Sequence, residues 1–506
     1  MKLLNFQVFN GRNIYSHRKC IRLDVDLEGY CETPSKDIEN FNERLLQLLP
    51  DLKKHRCGIY QEGGFVIRLN EGTYLAHICE HIIIALHNLI GVDISFGKAR
   101  EIEGDLYYII FQYEYEKTAL KCAYLAIDLI NMLIGKVSNI DFDKEIREIQ
   151  NTLNKEYMGP STEAICIEAK KKGIPVIKLG DTGLYQLGYG MYGKILEATI
   201  CSDTSAVGVD ISCDKLATKE ILVMHNLPVA KGYKVKGTVD LMYYADKIGY
   251  PVVLKPQFGN QGKGVIVNIK NRLELIKAYN SLIQKYKDIV IEGYIQGRDY
   301  RVCVVDGKVV AAALRIPPFI VGDGHKSIQE LIEELNKDPR RGDGHEKPMT
   351  RIKVDEAMIS YLKEAGYELD SVLEKGKSLS LRENANISTG GMAIDCTDEI
   401  CEENKSICVR AAAALGLNIC GIDLCCSDIG KSIREQGAIV EINSAPGIRM
   451  HYYPYKGKRR EVAKAIVAML FPNGKASIPI ISVTGTNGKT TTTRLIGHVL
   501  QCAGYK

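Results

Sequence analysis

The chain has 506 residues, enough for two to four domains, and its 45% hydrophobic and 25% charged content is that of a globular protein with sizeable cores. A net charge of +4 spread along the chain gives nothing that calls for a nucleic-acid partner, and no apolar run approaches the roughly 18 residues of a membrane span. The 16 cysteines lie at irregular spacings with no CxxC pair, many inside apolar runs, so they read as small hydrophobes in a reduced, cytoplasmic setting.

Residues 1–160 mix strands and helices. GGFVIRL (63–69) and DLYYIIFQYEY (105–115) have the β-branched and aromatic content of strands. LAHICEHIIIALHNLI (75–90) and KCAYLAIDLINMLIG (121–135) have helical spacing, each closed by a glycine. The first contains His77-x-x-Glu80-His81, the inverted zinc-peptidase pattern, with two His ligands on one helical face and Glu80 as the base. An amphipathic helix with a polar His/Glu face would leave the same trace. A zinc site needs a third ligand, and Cys57, Glu101 and Glu114 stand as unranked candidates. MGPST (158–162) reads as a linker.

Residues 161–475 form a longer α/β region. TKEIL offers Lys219 at a helix start, and VVLKPQFGNQGKGVIV (252–267) delivers Lys255 from an apolar strand into a loop holding Gly259, Gln261, Gly262 and Gly264. Such glycines let backbone N–H groups approach phosphate oxygens, and a lysine on the preceding strand can reach them as a point charge. A glycine-rich hairpin with a surface lysine is the plainer alternative. IVIEGYIQGRDYRVCVV (289–305) puts Glu292 at a strand end, facing adenine or ribose, and adds Arg298 and Arg301; Arg298 reads as a surface ion-pair partner. Arg315 is placed to neutralise a transferring phosphoryl group. Stretch 317–390 reads as an insertion with short helices, one capped by Ser327. In GAIVEIN, Glu441 and Asn443 share one strand face and Asp423 can join them, an all-oxygen set suited to Mg²⁺ held jointly with ATP phosphates.

This combination resembles an ATP-grasp ligase. RIPPFIVGDGHKSIQELI, LRENANISTGGMAID and NSAPGIRMHYYP, together with GRNIYSHRKCIRLDVDLEGY, GGFVIRLNEGTYLAHICEH and VDISCDKLATK, are similar to the cyanophycin synthetases along nearly the whole chain. The resemblance implies an α/β and α+β multidomain protein: an N-terminal α+β domain (1–160), an ATP-grasp domain (161–475) and the start of a Mur-ligase-like domain (476–506). It implies addition of aspartate, with ATP and Mg²⁺, to the C-terminal carboxylate of an Asp–Arg polymer primer through an acyl phosphate. It also implies a homo-oligomer such as a tetramer, with no nucleic-acid or membrane partner.

On that resemblance, Lys219, Lys255 and the 258–264 loop hold ATP, and Asp423, Glu441 and Asn443 hold Mg²⁺. Arg315, Arg301, Ser388, Thr389, Gly390, Gly391 and Arg449 hold the acyl phosphate and substrate carboxylates, while Ser161 and Asp210 contact the polymer end. The family commonly has Glu at position 210 and often His at 261, so an acid–base role for Gln261 is in doubt; no general base is identifiable. The N-terminal domain of some members makes primers at a metal site, and the His77/Glu80/His81 helix matches its place. Competing readings are a glutathione or γ-glutamyl type of ATP-grasp ligase, and a polymer-binding relic.

VTGTNGKTTTT (483–493) fails the general P-loop template, because Val483 stands at its first glycine. It matches the tighter TGTNGKTT form of Mur ligases, with Gly485 and Gly488 shaping the loop, Lys489 for phosphates and Thr490 for Mg²⁺. A strand and one helix cannot bury their apolar faces. The segment therefore reads as the vestigial start of an Arg-adding module, either severed by truncation or completed by a second chain, and is expected to be disordered or loosely docked.

Overall fold

Along Cys20–Asp26 every second residue, Ile21, Leu23 and Val25, is fully buried, as in a strand covered on one face. The computed structural model describes residues 1–57, 61–180, 182–259, 264–342 and 349–505. It divides into two compact units, Met1–Tyr157 and Met158–Lys506.

In the first unit Lys2–Phe9, Cys20–Asp26, Leu106–Gln112 and Gly97–Glu103 form an antiparallel sheet in that order. The helices Leu75–Leu89 and Glu116–Leu133 supply much of its core, packing with Phe41, Phe65 and Phe111. GGFVIRL, expected as a strand, is a helix, Gly64–Glu71. Its buried residues Phe65 and Leu69 are four apart, and burying them on one helical face outweighs the β preference of Val66 and Ile67. MGPST is likewise not a plain linker, because Pro160 occupies the first position of the helix Pro160–Lys171.

The second unit carries two antiparallel sheets that position the site. One has the order Ile266–Ile269, Val252–Pro256, Ile289–Gly293, Gly232–Val235. The other has the order Met392–Asp395, Lys308–Ile316, Arg298–Val305, Ile419–Cys426, Gly437–Asn443. The stretch 317–390 has its own small core around Ile328, Leu331, Met358 and Leu373, and its helix Ile328–Asn336 is closed by a full capping box on Ser327.

The residues leading into the 483–493 motif, expected as a strand, form none, and no partner strand pairs with them among the described residues. The helix Lys489–Cys502 that follows buries no residue. Among the described residues no helix is long and apolar enough to cross a membrane.

Candidate active site

Strand register decides which side chains share a face. Asp299 lies opposite Arg315 and Cys425, and Arg301 lies opposite Ala313 and Asp423. Asp423 lies opposite Glu441, and Gly421 opposite Asn443. Residues two apart on a strand point the same way, so one face of the five-stranded sheet presents Asp299, Arg301, Arg315, Asp423, Glu441 and Asn443 together. A Cβ on Gly421 would stand 3.0 Å from Arg301 Cδ and 2.8 Å from Pro446, so glycine makes room there for the arginine and the 444–448 turn.

Asp423, 5% exposed, accepts from Arg301 Nε at 2.5 Å and Nη2 at 3.1 Å, and Arg315 Nη1 lies 3.4 Å from its other oxygen. Burial pushes its pKa up, but the two guanidinium groups more than offset this and hold it below the ordinary aspartate value. Glu441 is raised, by burial and by Asp423 beside it, against the pull of Lys215 and Lys255. The Asn443 amide nitrogen is buried without a hydrogen-bond partner among the described residues. Two adjacent carboxylates and an amide oxygen, one carboxylate still reluctant to ionise, fit a hard divalent cation such as Mg²⁺.

The phosphate-side lysines come from the other sheet and a neighbouring helix. Lys255 on Val252–Pro256 lies 2.8 Å from Glu292 Oε1, and Lys219 Nζ lies 3.1 Å from Oε2. Lys219 also donates to the Ala230 carbonyl at 3.0 Å, and burial brings its pKa down to about 8 despite Glu292. Glu292, expected to face adenine or ribose, is instead 3% exposed and serves as the counter-charge of two lysines. The strand pairing Val253↔Glu292 carries it inward, since a carboxylate between two ammonium groups is the one charge that this interior tolerates.

Lys219 does not sit at a helix start, for the helix is Lys215–Met224, begun where the Asp214 side chain accepts from Leu216 N and Ala217 N. That shift brings forward a lysine missing from the sequence reading. Lys215 donates from Nζ to the Gly259 carbonyl at 2.5 Å, and its electrostatic neighbours are Glu441, Lys255 and Glu292. Asp214 also accepts from Gln257 Nε2 at 2.9 Å, which ties this helix to the strand end entering the glycine loop. The spacing Lys215–Lys219, one helical turn, was the available signal. Gly259 and Gly264 have positive φ, of 118° and 73°; Gln261 and Gly262 lie outside the described residues.

The remaining candidates are scattered around this face. Ser161 Oγ accepts from Ile448 N at 3.1 Å, and buried Arg449 donates to Thr350 Oγ1 at 3.0 Å. Ser388 and Thr389 lie in the short turn Ile387–Thr389, followed by Gly390 at φ 96° and by Gly391, whose Cβ would meet the Ala385 carbonyl at 2.7 Å. Asp210 is exposed on the helix Ala206–Cys213, and Arg298 is exposed at its strand's start.

In the first unit, Cys57, His77 and His81 offer ligand atoms all within 4.8 Å of one another. Glu101 and Glu114, the other candidates, are exposed and outside the group. His77 Nε2 is 3.2 Å from Cys57 Sγ and its Nδ1 is 2.8 Å from Thr73 Oγ1. His55, unflagged by the sequence, places Nδ1 3.1 Å from His81 Nδ1, and Phe65 stacks on His81 with ring centroids 4.2 Å apart. Burial lowers the pKa of His77 to about 4 and that of His81 to about 2, and raises that of Glu80 to about 7. A Cβ on Gly97 would strike the Glu80 carboxylate at 2.7 Å, so glycine there lets the carboxylate tuck against the sheet. Two neutral imidazoles and a thiol fit zinc better than a hard cation.

Residues 22–135 match the cyanophycin synthase-like N-terminal domain, and residues 212–318 match the RimK-like ATP-grasp domain. The chain carries both domains, in that order. It is 43% identical over 512 residues to the cyanophycin synthetase of Trichormus variabilis and 42% identical over 514 to that of Synechocystis, each alignment taking in 100% of this chain. It spans 57% and 59% of the length of those relatives. A bifunctional glutathione biosynthesis protein of Clostridium perfringens is 32% identical over 337 residues, covering 63% of this chain and 42% of that protein. The crystal structure of a bifunctional glutathione synthetase from Pasteurella multocida superposes with TM-score 0.51 at 20% identity, over 90% of this chain and 82% of that one, a likeness of fold. The fold of the second unit's site region is ATP-grasp.

Proposed function

We propose that this chain extends an Asp–Arg polymer by joining aspartate to its C-terminal carboxylate, with ATP converted to ADP and phosphate through an acyl phosphate. One observation carries the reading: Lys215 and Lys255 act on Glu441, the cross-strand partner of Asp423, with Lys219 joined to Lys255 through Glu292 and with Arg301 and Arg315 on the same sheet face as the two acids. Lys215, Lys219 and Lys255 would hold the phosphates of ATP, and Asp423, Glu441 and Asn443 would hold Mg²⁺, which when bound neutralises phosphate charge. Arg315 would steady the carboxylate being phosphorylated, and Arg301, now paired with Asp423, would be freed toward the acyl phosphate. Ser388, Thr389, Gly390, Gly391, Arg449, Ser161 and Asp210 would line the path of the polymer end. Catalysis in this scheme is mostly positioning and charge compensation.

The relatives named cyanophycin synthetase support this choice of substrates over the glutathione type. The test is incubation with ATP, Mg²⁺, aspartate, arginine and a short Asp–Arg primer, read by mass. A gain of one Asp residue and no Arg is expected. No gain, Arg addition by this chain alone, or ADP release only with glutathione-type acceptors overturns the proposal. A homo-oligomer, as in the resemblance, is open to light scattering on the same sample.

A second reading rests on Cys57, His77 and His81. These would hold zinc, with Glu80 as base, in a hydrolase site that cuts polymer into primers. Chelator-sensitive, ATP-independent cleavage lost in Glu80→Gln is expected; zinc-free protein that still cleaves would reject it.

A further inference from the structure

The acids on the sheet face differ in what they already hold. Asp423 is shared by Arg301 and Arg315, Glu292 is shared by Lys219 and Lys255, and Glu441 sits beside Asp423 and near Lys215. Asp299 is the exception. Among the described residues it makes no hydrogen bond and no ion pair, Arg315 and Asp423 acting on it only at longer range, and the residue is exposed while Asp423 and Glu292 are buried. Yet it lies on the same face, directly across the strand pair from Arg315, with Cys425 on its other flank. The Cys425 thiol is turned to the Ile295 carbonyl at 3.3 Å and leaves the carboxylate free.

The chemistry of the proposed ligation leaves one role unfilled. An amino acid arrives as an ammonium ion, and only the neutral amine attacks an acyl phosphate. A group must take the proton beside the place where the acyl carbon is held, and Arg315 marks that place. Carboxylates committed to a cation or to buried lysines cannot do it without losing those partners.

Resting on the ligase reading above, we propose that Asp299 is the catalytic residue that binds the α-ammonium of the incoming amino acid and takes its proton. The amine lone pair then forms the new C–N bond, and the C–O bond to phosphate breaks with its electrons on the phosphate. The amine's second proton leaves with that phosphate as HPO₄²⁻, and Asp299 returns its own proton to solvent. The count closes: acyl phosphate and ammonium give amide, hydrogen phosphate and one proton.

Hydroxylamine, a neutral nucleophile, separates the two halves of the reaction, because it intercepts the acyl phosphate without needing a base. Asp299→Asn and wild type are compared in ATP- and primer-dependent hydroxamate formation and in Asp addition. The ratio of Asp addition to hydroxamate formation is expected to fall at least 100-fold in Asp299→Asn, within the range of about 10²–10⁴ typical of a general base. The residual Asp addition should rise with pH as free amine accumulates, and Asp299→Glu should restore part of the ratio. An unchanged ratio in Asp299→Asn overturns the assignment, and so does a parallel loss of both products, which would make Asp299 a structural residue. Wild-type protein that forms no hydroxamate overturns the ligase reading itself, a result distinct from either.

Discussion

The two units answer the same physical problem, burial of titratable groups, in opposite ways. The sheet face of the second unit keeps its charges and pairs them: Glu292 with two lysines, Asp423 with two arginines. The cluster of the first unit gives its charges up, since burial holds His77 and His81 neutral and raises the Cys57 thiol. A charged, interlocked site is ready to trade partners with a polyanion and its cation. A neutral cluster of nitrogen and sulfur matches a borderline or soft cation better than a hard one. Each experiment below presses on that contrast.

The largest effect is expected where the pairing is deepest. Glu292→Gln leaves two ammonium groups in the interior without a counter-charge, and breaking a buried pair this way costs about 3–5 kcal/mol. Part of that is recovered when Lys219, already lowered to about 8, sheds its proton. Amide exchange should quicken in the strands Val252–Pro256 and Ile289–Gly293 and stay unchanged in Cys20–Asp26. ATP-dependent turnover should fall with it. Uniform exchange across both units, or none lost, would break the picture of a charge lock confined to the second unit.

Acid should act on the first unit instead. In metal-free protein the folded pKa values of about 4 and about 2 for His77 and His81 lie below the ordinary histidine value near 6.5. Depressed bases bind protons better when unfolded, so their stability contribution is full above about pH 6.5 and is lost as pH falls toward the folded values. Between pH 7 and pH 5 the pair should cost about 2–4 kcal/mol. Glu80, whose raised value near 7 makes the folded state gain stability over the same window, offsets part of it. The difference is read as exchange in Leu75–Leu89, with Glu80→Gln exposing the full cost of the histidines. His81→Phe, which keeps the stack on Phe65, should flatten roughly half of that slope and abolish zinc uptake without touching ATP turnover. A slope unaffected by this change would place the acid sensitivity elsewhere.

These features were unequally legible in the sequence. Local spacing carried much: period two put Glu441 and Asn443 on one face, and i,i+4 put His77 and His81 on one helix, because both depend on residues a few positions apart. GGFVIRL misled for a related reason, since seven residues fit either period until Phe65 and Leu69 find a core. Asp299, Lys215 and His55 were missed because their neighbours come from other elements. Strand register sets Asp299 across from Arg315, the Asp214 cap sets where Lys215 stands, and a loop brings His55 to His81. Glu292 was flagged for the right strand end and the wrong direction, which only the inward pairing decides.

The smallest effect belongs to the segment whose motif is the most conspicuous. In VTGTNGKTTTT, Lys489 donates to the Gly485 carbonyl at 2.5 Å and the Thr486 carbonyl at 3.2 Å, and neither the loop nor its helix buries a residue. A lysine satisfied by its own loop, on a helix with no buried face, is screened by water, and among the described residues no second element closes over it. Lys489→Ala should therefore change Asp-dependent ADP release by less than about twofold, a difference under 0.5 kcal/mol. Lys255→Ala, by contrast, should abolish it, because that ammonium is held at 2.8 Å from Glu292 in the interior and aimed by a strand. If Lys489→Ala silences the reaction while Lys255→Ala leaves it intact, ATP is being used at the exposed loop, and the assignment of chemistry to the paired sheet face falls.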